Sequence, residues 1–357
     1  MSLYAGSPAP MFIARTTSNP TFGFSSLGGR WALLVFLPPP GPEQQAALSL
    51  LEAHPQVFAD PAAPRLLFGV LPDAATFATV RDNPPAVHWI DDTRGDLRRL
   101  YQAVDGKCEL APHWVLIDPT MRVLETAPLA EGARMLARLA ALPDPADHAG
   151  VAMHAPVLIV PRVFEAETCR RLIDLYHTEG GGPSGVMREQ DGRTVGVFDD
   201  LKKRRDALVT DDQLRGALRA RIQRRLLPEI EKAYQFRATR IERYIVACYD
   251  ADDGGYFRPH RDNTTAGTAH RRFAVSINLN AEAFEGGDLR FPEFGPRTYR
   301  PPTGGAVVFS CSLLHEATPV TAGTRYAFLP FLHDEAGEKV REANLHLLDE
   351  TAPRPGA

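Results

Sequence analysis

The chain has 357 residues, with 40 Lys and Arg against 44 Asp and Glu and a net charge of −4, a balance that does not make nucleic acid or a membrane surface the expected partner. Its composition, 44% apolar and 24% charged, is that of a globular chain, and the length suits two domains. The four cysteines (Cys108, Cys169, Cys248, Cys311) form no CxxC pair, which argues against a disulfide framework and fits a reducing, cytoplasmic setting. The first residues, MSLYAGSPAPMF, have neither a basic head nor a long apolar run, and no stretch of about 20 apolar residues reads as a spanning helix.

Taken in chain order, WALLVFL (Trp31 to Leu37) predicts a buried strand. Pro42 then opens PEQQAALSLLEAH, a helix with Ala46, Leu50 and Leu51 on its apolar face; Pro suits the first turn because its missing N–H has no partner there. RLLFGVL (Arg65 to Leu71) is a second strand, DAATFATVR a short helix, and DLRRLYQAV (Asp96 to Val104) another. HWVLID and RVLETA read as a pair of strands, and AEGARMLARLAAL closes with a helix carrying Met135, Leu136, Leu139 and Leu142. Apolar strands separated by helices imply parallel pairing with both faces covered.

On GSPAPMF, GGRWALLVFLPPPGPEQQ and DLRRLYQAV…APHWVLIDPTMRVL, this half resembles the thioredoxin-fold, peroxiredoxin-like family. The resemblance implies a thioredoxin-like domain over residues 1–142. Its relatives place a nucleophilic cysteine at the start of the helix after the VFLPP strand, where a helix N-terminus lowers the thiol pKa. Here that place holds Gly41, Pro42, Glu43, Gln44 and Gln45. The domain is therefore expected to be silent toward peroxide and to act as a docking or stabilising module. A peroxidase resting on Cys108 is the alternative.

LPDPADHAG marks a linker at 143–150. APVLIVPRVF then predicts a strand leading into a helix, EAETCRRLIDLYH, with Cys169, Leu172, Ile173 and Tyr176 on one face. The glycine-rich stretch from Gly180 to Phe198 reads as a loop or hairpin, a candidate substrate lid that orders on binding. Lys202-Lys203-Arg204-Arg205 reads as a solvated charge run. DDQLRGALRARIQRRLLPEIEKAYQF predicts one long helix capped by Asp211, buried along Leu214, Leu218, Ile222, Leu226 and Ile230, and bent near Pro228. From Arg240 the pattern turns to strands: RIERYIVACY, RRFAVSINLN with Phe273, Val275, Ile277 and Leu279 on one side, GGDLRF, GGAVVFS and RYAFLPFL. Short strands with Gly/Pro turns predict a jelly roll over 151–335, followed by a short helix and tail over 336–357.

Chemistry concentrates in YFRPHRD. In a strand His260 and Asp262 point to one side, and two such groups together need water or a shared cation. His315, at a strand end in GGAVVFSCSLLHEA, supplies a third donor. Two imidazoles and a carboxylate make the facial triad of non-haem Fe(II) oxygenases, with positions left open for a chelating cosubstrate and dioxygen. Arg325 opens the strand RYAFLPF. A guanidinium buried there needs an anion, and its planar fork suits the remote carboxylate of 2-oxoglutarate.

With VACYDADDGGYFRPHRDN, RRFAVSINLN, EGGDLRFPEFG and PPTGGAVVFSCSLLHEATPVTAGTRYAF in this order, residues 150 to 333 resemble the prolyl-hydroxylase branch of the Fe(II)/2-oxoglutarate dioxygenases. The resemblance implies a double-stranded β-helix with flanking helices, making the whole chain α/β plus mainly-β. It further implies Fe(II) held by His260, Asp262 and His315, 2-oxoglutarate anchored by Arg325, O2 as cosubstrate and ascorbate as an auxiliary reductant. Tyr249 would border the cosubstrate or the substrate. Asn278 occupies the place from which a tyrosine of many relatives hydrogen-bonds 2-oxoglutarate. The implied reaction hydroxylates an unactivated C–H bond of a peptide, protein or amino-acid-like substrate, with succinate and CO2 as co-products. A metabolite oxygenase and an iron-bearing oxygen sensor are the alternatives. His177, His270 and His333 read as surface histidines, and Cys311 as a small buried hydrophobe.

Overall fold

A computed structural model describes residues 3–60, 65–101 and 112–348. The end of the helix expected to run to Val104, Cys108 and the tail beyond Leu348 lie outside the described residues. Contacts divide the chain into two units, Met1–His154 with Pro292–Pro296, and Ala155–Phe291 with Arg297–Ala357.

The first unit opens with a small antiparallel ribbon, β1 (Ile13–Ala14) and β2 (Phe22–Gly23). It continues as β3 (Ala32–Phe36), α1 (Pro42–Glu52), β4 (Leu66–Leu71), α2 (Ala74–Thr79), β5 (Val87–Asp91), α3 (Asp96–Tyr101), β6 (His113–Ile117), β7 (Val123–Pro128) and α4 (Gly132–Ala140). One sheet runs β5-β4-β3-β6-β7. Its β3, β4 and β5 are parallel, while β6 and β7 join antiparallel. The continuous apolar runs follow from burial on both faces: Leu33 and Val35 pack into one cluster, Leu34 and Phe36 into the other. β5 was not anticipated from sequence: Val87–Asp91 does not alternate, and His88, Trp89 and Ile90 are all buried. α1 buries Gln44, Ala47 and Leu51 rather than the expected Ala46 face. The Gln44 amide turns inward because it donates to Pro38 O at 2.8 Å and accepts from Thr76 Oγ1 at 3.1 Å. Asp73 caps α2 through Thr76 N–H at 2.7 Å.

The second unit contains β8 (Leu158–Val160), α5 (Ala166–Glu179), β9 (Gly182–Pro183), β10 (Val186–Gln190), β11 (Arg193–Val197), β12 (Lys202–Lys203), β13 (Arg205–Leu208), α6 (Asp212–Arg225), α7 (Leu227–Tyr234) and β14 (Arg240–Glu242). The remaining strands are β15 (Ile245–Asp250), β16 (Tyr256–His260), β17 (Phe273–Asn278), β18 (Phe284–Gly286), β19 (Leu289–Arg290), β20 (Thr298–Tyr299), β21 (Ala306–Ser310), β22 (His315–Ala317), β23 (Val320–Phe328) and β24 (Phe331–His333), before α8 (Glu335–Asn344). The larger sheet follows β14-β24-β17-β23-β15-β13-β9, with β21 on β17 and β8 on β21; the smaller follows β12-β16-β22-β19-β20. Their antiparallel pairing makes a jelly roll.

The larger sheet separates two environments by strand parity. Val246 and Cys248 of β15, Val275 and Ile277 of β17, and Tyr326 and Phe328 of β23 join a core with α5, α6 and α7. Ala247 and Tyr249 face the other way, into a cluster with Phe284, Ala317 and Val320. The expected single helix after Asp211 is two. Asp211 caps α6 through Leu214 N–H at 2.6 Å, but the chain breaks at Leu226 because Pro228, in the first turn of α7, has no N–H to continue the ladder. Gly304 turns beside α5 with φ +78, and a Cβ there would lie 2.1 Å from Phe164 O.

β10 and β11 form a hairpin whose Asp191-Gly192 turn has φ of 50 and 74, the geometry that matches strand twist. It is docked rather than free. Thr194 is fully buried, accepts from Gly267 N–H at 2.9 Å and bridges to Leu348. Among the described residues no helix is long and apolar enough to cross a membrane.

Candidate metal centre

β16 and β22 run side by side in the smaller sheet with His260 opposite His315. Opposed residues of an antiparallel pair share a face, and the two rings lie 4.2 Å apart. Asp262 follows just beyond β16. Its backbone is fixed on both sides: its N–H donates to Cys311 O at 2.9 Å, and its carbonyl accepts from Arg271 Nη1 at 3.3 Å. Asp262 Oδ1 is 3.6 Å from His260 Nε2, and Oδ2 is 3.3 Å from His315 Nε2. One donor atom from each of the three residues lies within 4.8 Å of the others.

The imidazole tautomers follow from neighbours that only accept. His260 Nδ1 donates to Arg258 O at 2.8 Å and His315 Nδ1 to Leu313 O at 3.0 Å. In the neutral rings both Nε2 lone pairs are therefore free and turned toward Asp262. Burial, then the adjacent His315, pushes His260 down to about 4, so it stands as the neutral ligand form at neutral pH. Burial works against the charge of Asp262, but a proton shared with the facing imidazoles, His315 first, holds its carboxyl well below the usual range. Phe257 stacks on His260 at 3.4 Å and Phe309 flanks His315 at 4.5 Å. Two nitrogens, one carboxylate oxygen and apolar walls are a donor set that fits Fe(II).

Arg325 is 3% exposed. It lies opposite Tyr249 in the β23–β15 register, and its guanidinium carbon is 5.0 Å from the Tyr249 ring centre. Nη2 donates to Ser276 Oγ at 2.9 Å; Nη1 is buried without a hydrogen-bond partner. Gly287 passes beside the arginine stem with φ +66, and a Cβ there would meet Val320 Cγ2 at 2.8 Å and Arg325 Cδ at 3.3 Å. A guanidinium with an unfilled inner N–H fits the far carboxylate of a dicarboxylate cosubstrate.

The structure brings His260, Asp262 and His315 together and places Tyr249 against Arg325. Asn278 makes a different contact. The Asn278 amide donates to Pro301 O at 2.8 Å, so it ties two segments of the fold. Ser276, two residues earlier on the same strand, meets Arg325 instead. Its only sequence signal is a hydroxyl in the apolar run FAVSIN.

The charge run at 202–205 is not a solvated face. In extended chain its residues alternate: Lys203 and Arg205 are exposed, Lys202 is half-buried and Arg204 is 8% exposed. His270 and His333 are also not surface residues, being 3% and 2% exposed. Each is held by a carboxylate, His270 by Glu242 at 2.8 Å and His333 by Glu338 at 2.7 Å. His177 is exposed. Cys311 is fully buried, and burial raises its thiol pKa well above the ordinary value, so it packs as a small hydrophobe.

Residues 244–333 match the model of the 2OG-Fe(II) oxygenase superfamily. The chain is similar to a PKHD-type hydroxylase of Synechococcus sp. (strain JA-2-3B'a(2-13)), 28% identical over 124 residues, covering 32% of this chain and 54% of that protein. It is also similar to a PKHD-type hydroxylase of Delftia acidovorans, 33% identical over 107 residues, covering 28% of this chain and 47% of that protein. The chain thus spans about half the length of these curated relatives. Among solved structures, a prolyl hydroxylase of Trichoplax adhaerens in complex with a hypoxia inducible factor peptide is 18% identical with a TM-score of 0.40, covering 53% of this chain and 86% of that one. The two histidines, the aspartate and Arg325 all lie inside the segment that matches the 2OG-Fe(II) oxygenase superfamily.

Proposed function

We propose that the second unit is an Fe(II)- and 2-oxoglutarate-dependent hydroxylase of an unactivated C–H bond, acting on a peptidyl or free amino acid of the prolyl type. The observation that carries this reading is the convergence of His260, Asp262 and His315 within 4.8 Å, in a matched superfamily segment that also holds a buried guanidinium with an unfilled donor. The similarity to PKHD-type hydroxylases supports the reaction class.

In this reading His260 Nε2, His315 Nε2 and one Asp262 oxygen hold the iron. The carbonyls of Arg258 and Leu313 orient the two rings, and Cys311 and Arg271 keep the Asp262 backbone in place. Arg325 binds the far carboxylate of 2-oxoglutarate through Nη1, with Ser276 holding Nη2 and the Tyr249 ring closing the side. Phe257 and Phe309 exclude water from the ligands. When bound, iron and 2-oxoglutarate supply the oxidative chemistry with O2: one oxygen atom goes to the substrate C–H bond and one to succinate, with release of CO2.

The first unit is best read as a thioredoxin-like domain without a peroxidatic thiol. Its β5-β4-β3-β6-β7 order and the Gln44 amide at the start of α1 support that reading, which leaves a docking or stabilising role. The full chain, loaded anaerobically with Fe(II) and 2-oxoglutarate, is expected to give the visible charge-transfer band of that complex and, in air, to release succinate. A chain that takes up Fe(II) yet gives neither band nor succinate would refute the reading.

A further inference from the structure

The segment between the β10–β11 hairpin and α6 carries cations toward the site. β12 pairs with β16 so that Lys202 stands opposite Phe257, on the face where Phe257 stacks on His260. Lys202 Nζ lies 4.8 Å over the Phe257 ring and donates to Ser184 Oγ at 2.9 Å and to Gly185 O. Both acceptors are neutral, and among the described residues no carboxylate reaches ion-pair distance of this ammonium.

Two residues on, the buried Arg204 bridges the two ends of the site. Its guanidinium carbon is 5.9 Å from the Phe257 ring and 5.8 Å from the Tyr249 ring. Nη2 donates to Ser184 Oγ at 3.0 Å and Asp206 Oδ2 at 2.7 Å, Nη1 to Tyr249 Oη at 3.4 Å, and Nε is buried without a partner. Arg243, whose Nε donates to Leu329 O at 3.0 Å, feels the same group of charges. Asp206 is the carboxylate that all three cations share. Asp206 holds Arg204 above its ordinary value, whereas burial and then Arg204 hold Lys202 well below its own, against the pull of Asp206 and Asp262, and push Arg243 down to about 10. A cation so placed is costly until an anion meets it.

We infer that Lys202, backed by Arg204, is a carboxylate subsite for the substrate. The molecule hydroxylated beside the triad carries a carboxylate, either the free α-carboxylate of an amino acid or an acidic side chain next to the reacting residue of a peptide. The inference rests on the hydroxylase reading above. Arg325 is engaged at the cosubstrate end and bonds to none of these groups, which leaves Lys202 for the second anion.

The test uses the full chain with Fe(II) and 2-oxoglutarate under anaerobic conditions, with binding read by calorimetry. The probes are L-proline against L-prolinamide, and acetyl-Gly-Asp-Pro-Gly-amide against acetyl-Gly-Asn-Pro-Gly-amide. The first pair reads an α-carboxylate and the second a side-chain carboxylate. The acid of at least one pair is expected to bind roughly tenfold to a hundredfold tighter than its amide. Lys202→Met, which keeps an apolar stem on Phe257, erases that preference, and Lys202→Arg restores it. Failure of both acids to bind tighter than their amides on the wild type, undetectable binding included, overturns the inference; so does a preference that survives in Lys202→Met. The charge-transfer band is recorded on the same wild-type samples. Its presence without an acid preference removes only the subsite, whereas Fe(II) uptake with neither the band nor, in air, succinate removes the hydroxylase reading itself.

Discussion

Replacing Arg325 with Met separates the cost of this arginine to the fold from its use in the site. In the free protein the guanidinium is 3% exposed, has one hydrogen bond to Ser276 Oγ at 2.9 Å and leaves Nη1 empty; burial lowers its pKa. Met fills much of the same volume with no charge to desolvate. Exchanging a poorly compensated buried cation for an apolar side chain gains about 1–2 kcal/mol, a rise of roughly 2–8 °C in the melting temperature of the second unit. Binding moves the other way. Losing one partner of a buried charge pair costs about 2–5 kcal/mol, so the Kd for 2-oxoglutarate should rise by roughly thirtyfold or more. Titration of 2-oxoglutarate into the anaerobic Fe(II) protein, read by the charge-transfer band, measures the second effect, and calorimetric melting of the free protein the first. A Kd within about threefold of wild type would show that Arg325 is not the anchor. A melting temperature that falls by several degrees would show that the free protein already pairs it.

His260→Ala and His315→Ala should each abolish the charge-transfer band and lower Fe(II) retention after gel filtration by about tenfold or more; retention like the wild type's would remove these residues from the ligand set. Glu242 holds Arg271 at 2.6 Å and His270 at 2.8 Å, and although burial opposes its charge, Arg271 holds its pKa far below the ordinary carboxylate value. Its contribution is therefore complete above the unfolded value of about 4.3 and is lost as pH falls below it. Glu242→Gln should cost about 3–5 kcal/mol near pH 7 and flatten the acid limb of a urea-melt series; an acid limb as steep as the wild type's would contradict the assignment. Gly304→Ala must hold Cβ 2.1 Å from Phe164 O at φ +78, so a loss of about 3 kcal/mol or more is expected in denaturant unfolding; a neutral result would mean that the turn relaxes freely.

How much could be read in the chain depended on how local the signal was. His260 and Asp262 are two residues apart, and the strand pattern around Arg325 declares which side it faces. The parity of FAVSIN likewise predicted Val275 and Ile277 in the core. What failed were readings in which a residue's chemistry was taken without its neighbours. Lys202-Lys203-Arg204-Arg205 looks solvated as a block, yet an extended chain sends alternate members inward. His270 and His333 looked like loop residues because their carboxylate partners, Glu242 and Glu338, come from other elements. Ser276 carried too little chemistry to stand out. The helix after Asp211 was overextended because its apolar period continues across Leu226 while the hydrogen-bond ladder does not.

The larger sheet assigns different work to adjacent residues of the same strand. Val246, Cys248, Val275, Ile277, Tyr326 and Phe328 serve the packing against the helices, while Tyr249, Ser276 and Arg325 face the opposite way. Saturation mutagenesis along β15, β17 and β23 should therefore alternate in character from codon to codon. One set would tolerate swaps of similar volume, and the other would answer only to functional groups. Retooling the catalyst for a new cosubstrate or acceptor can then proceed through every second position, leaving the foundation under it untouched.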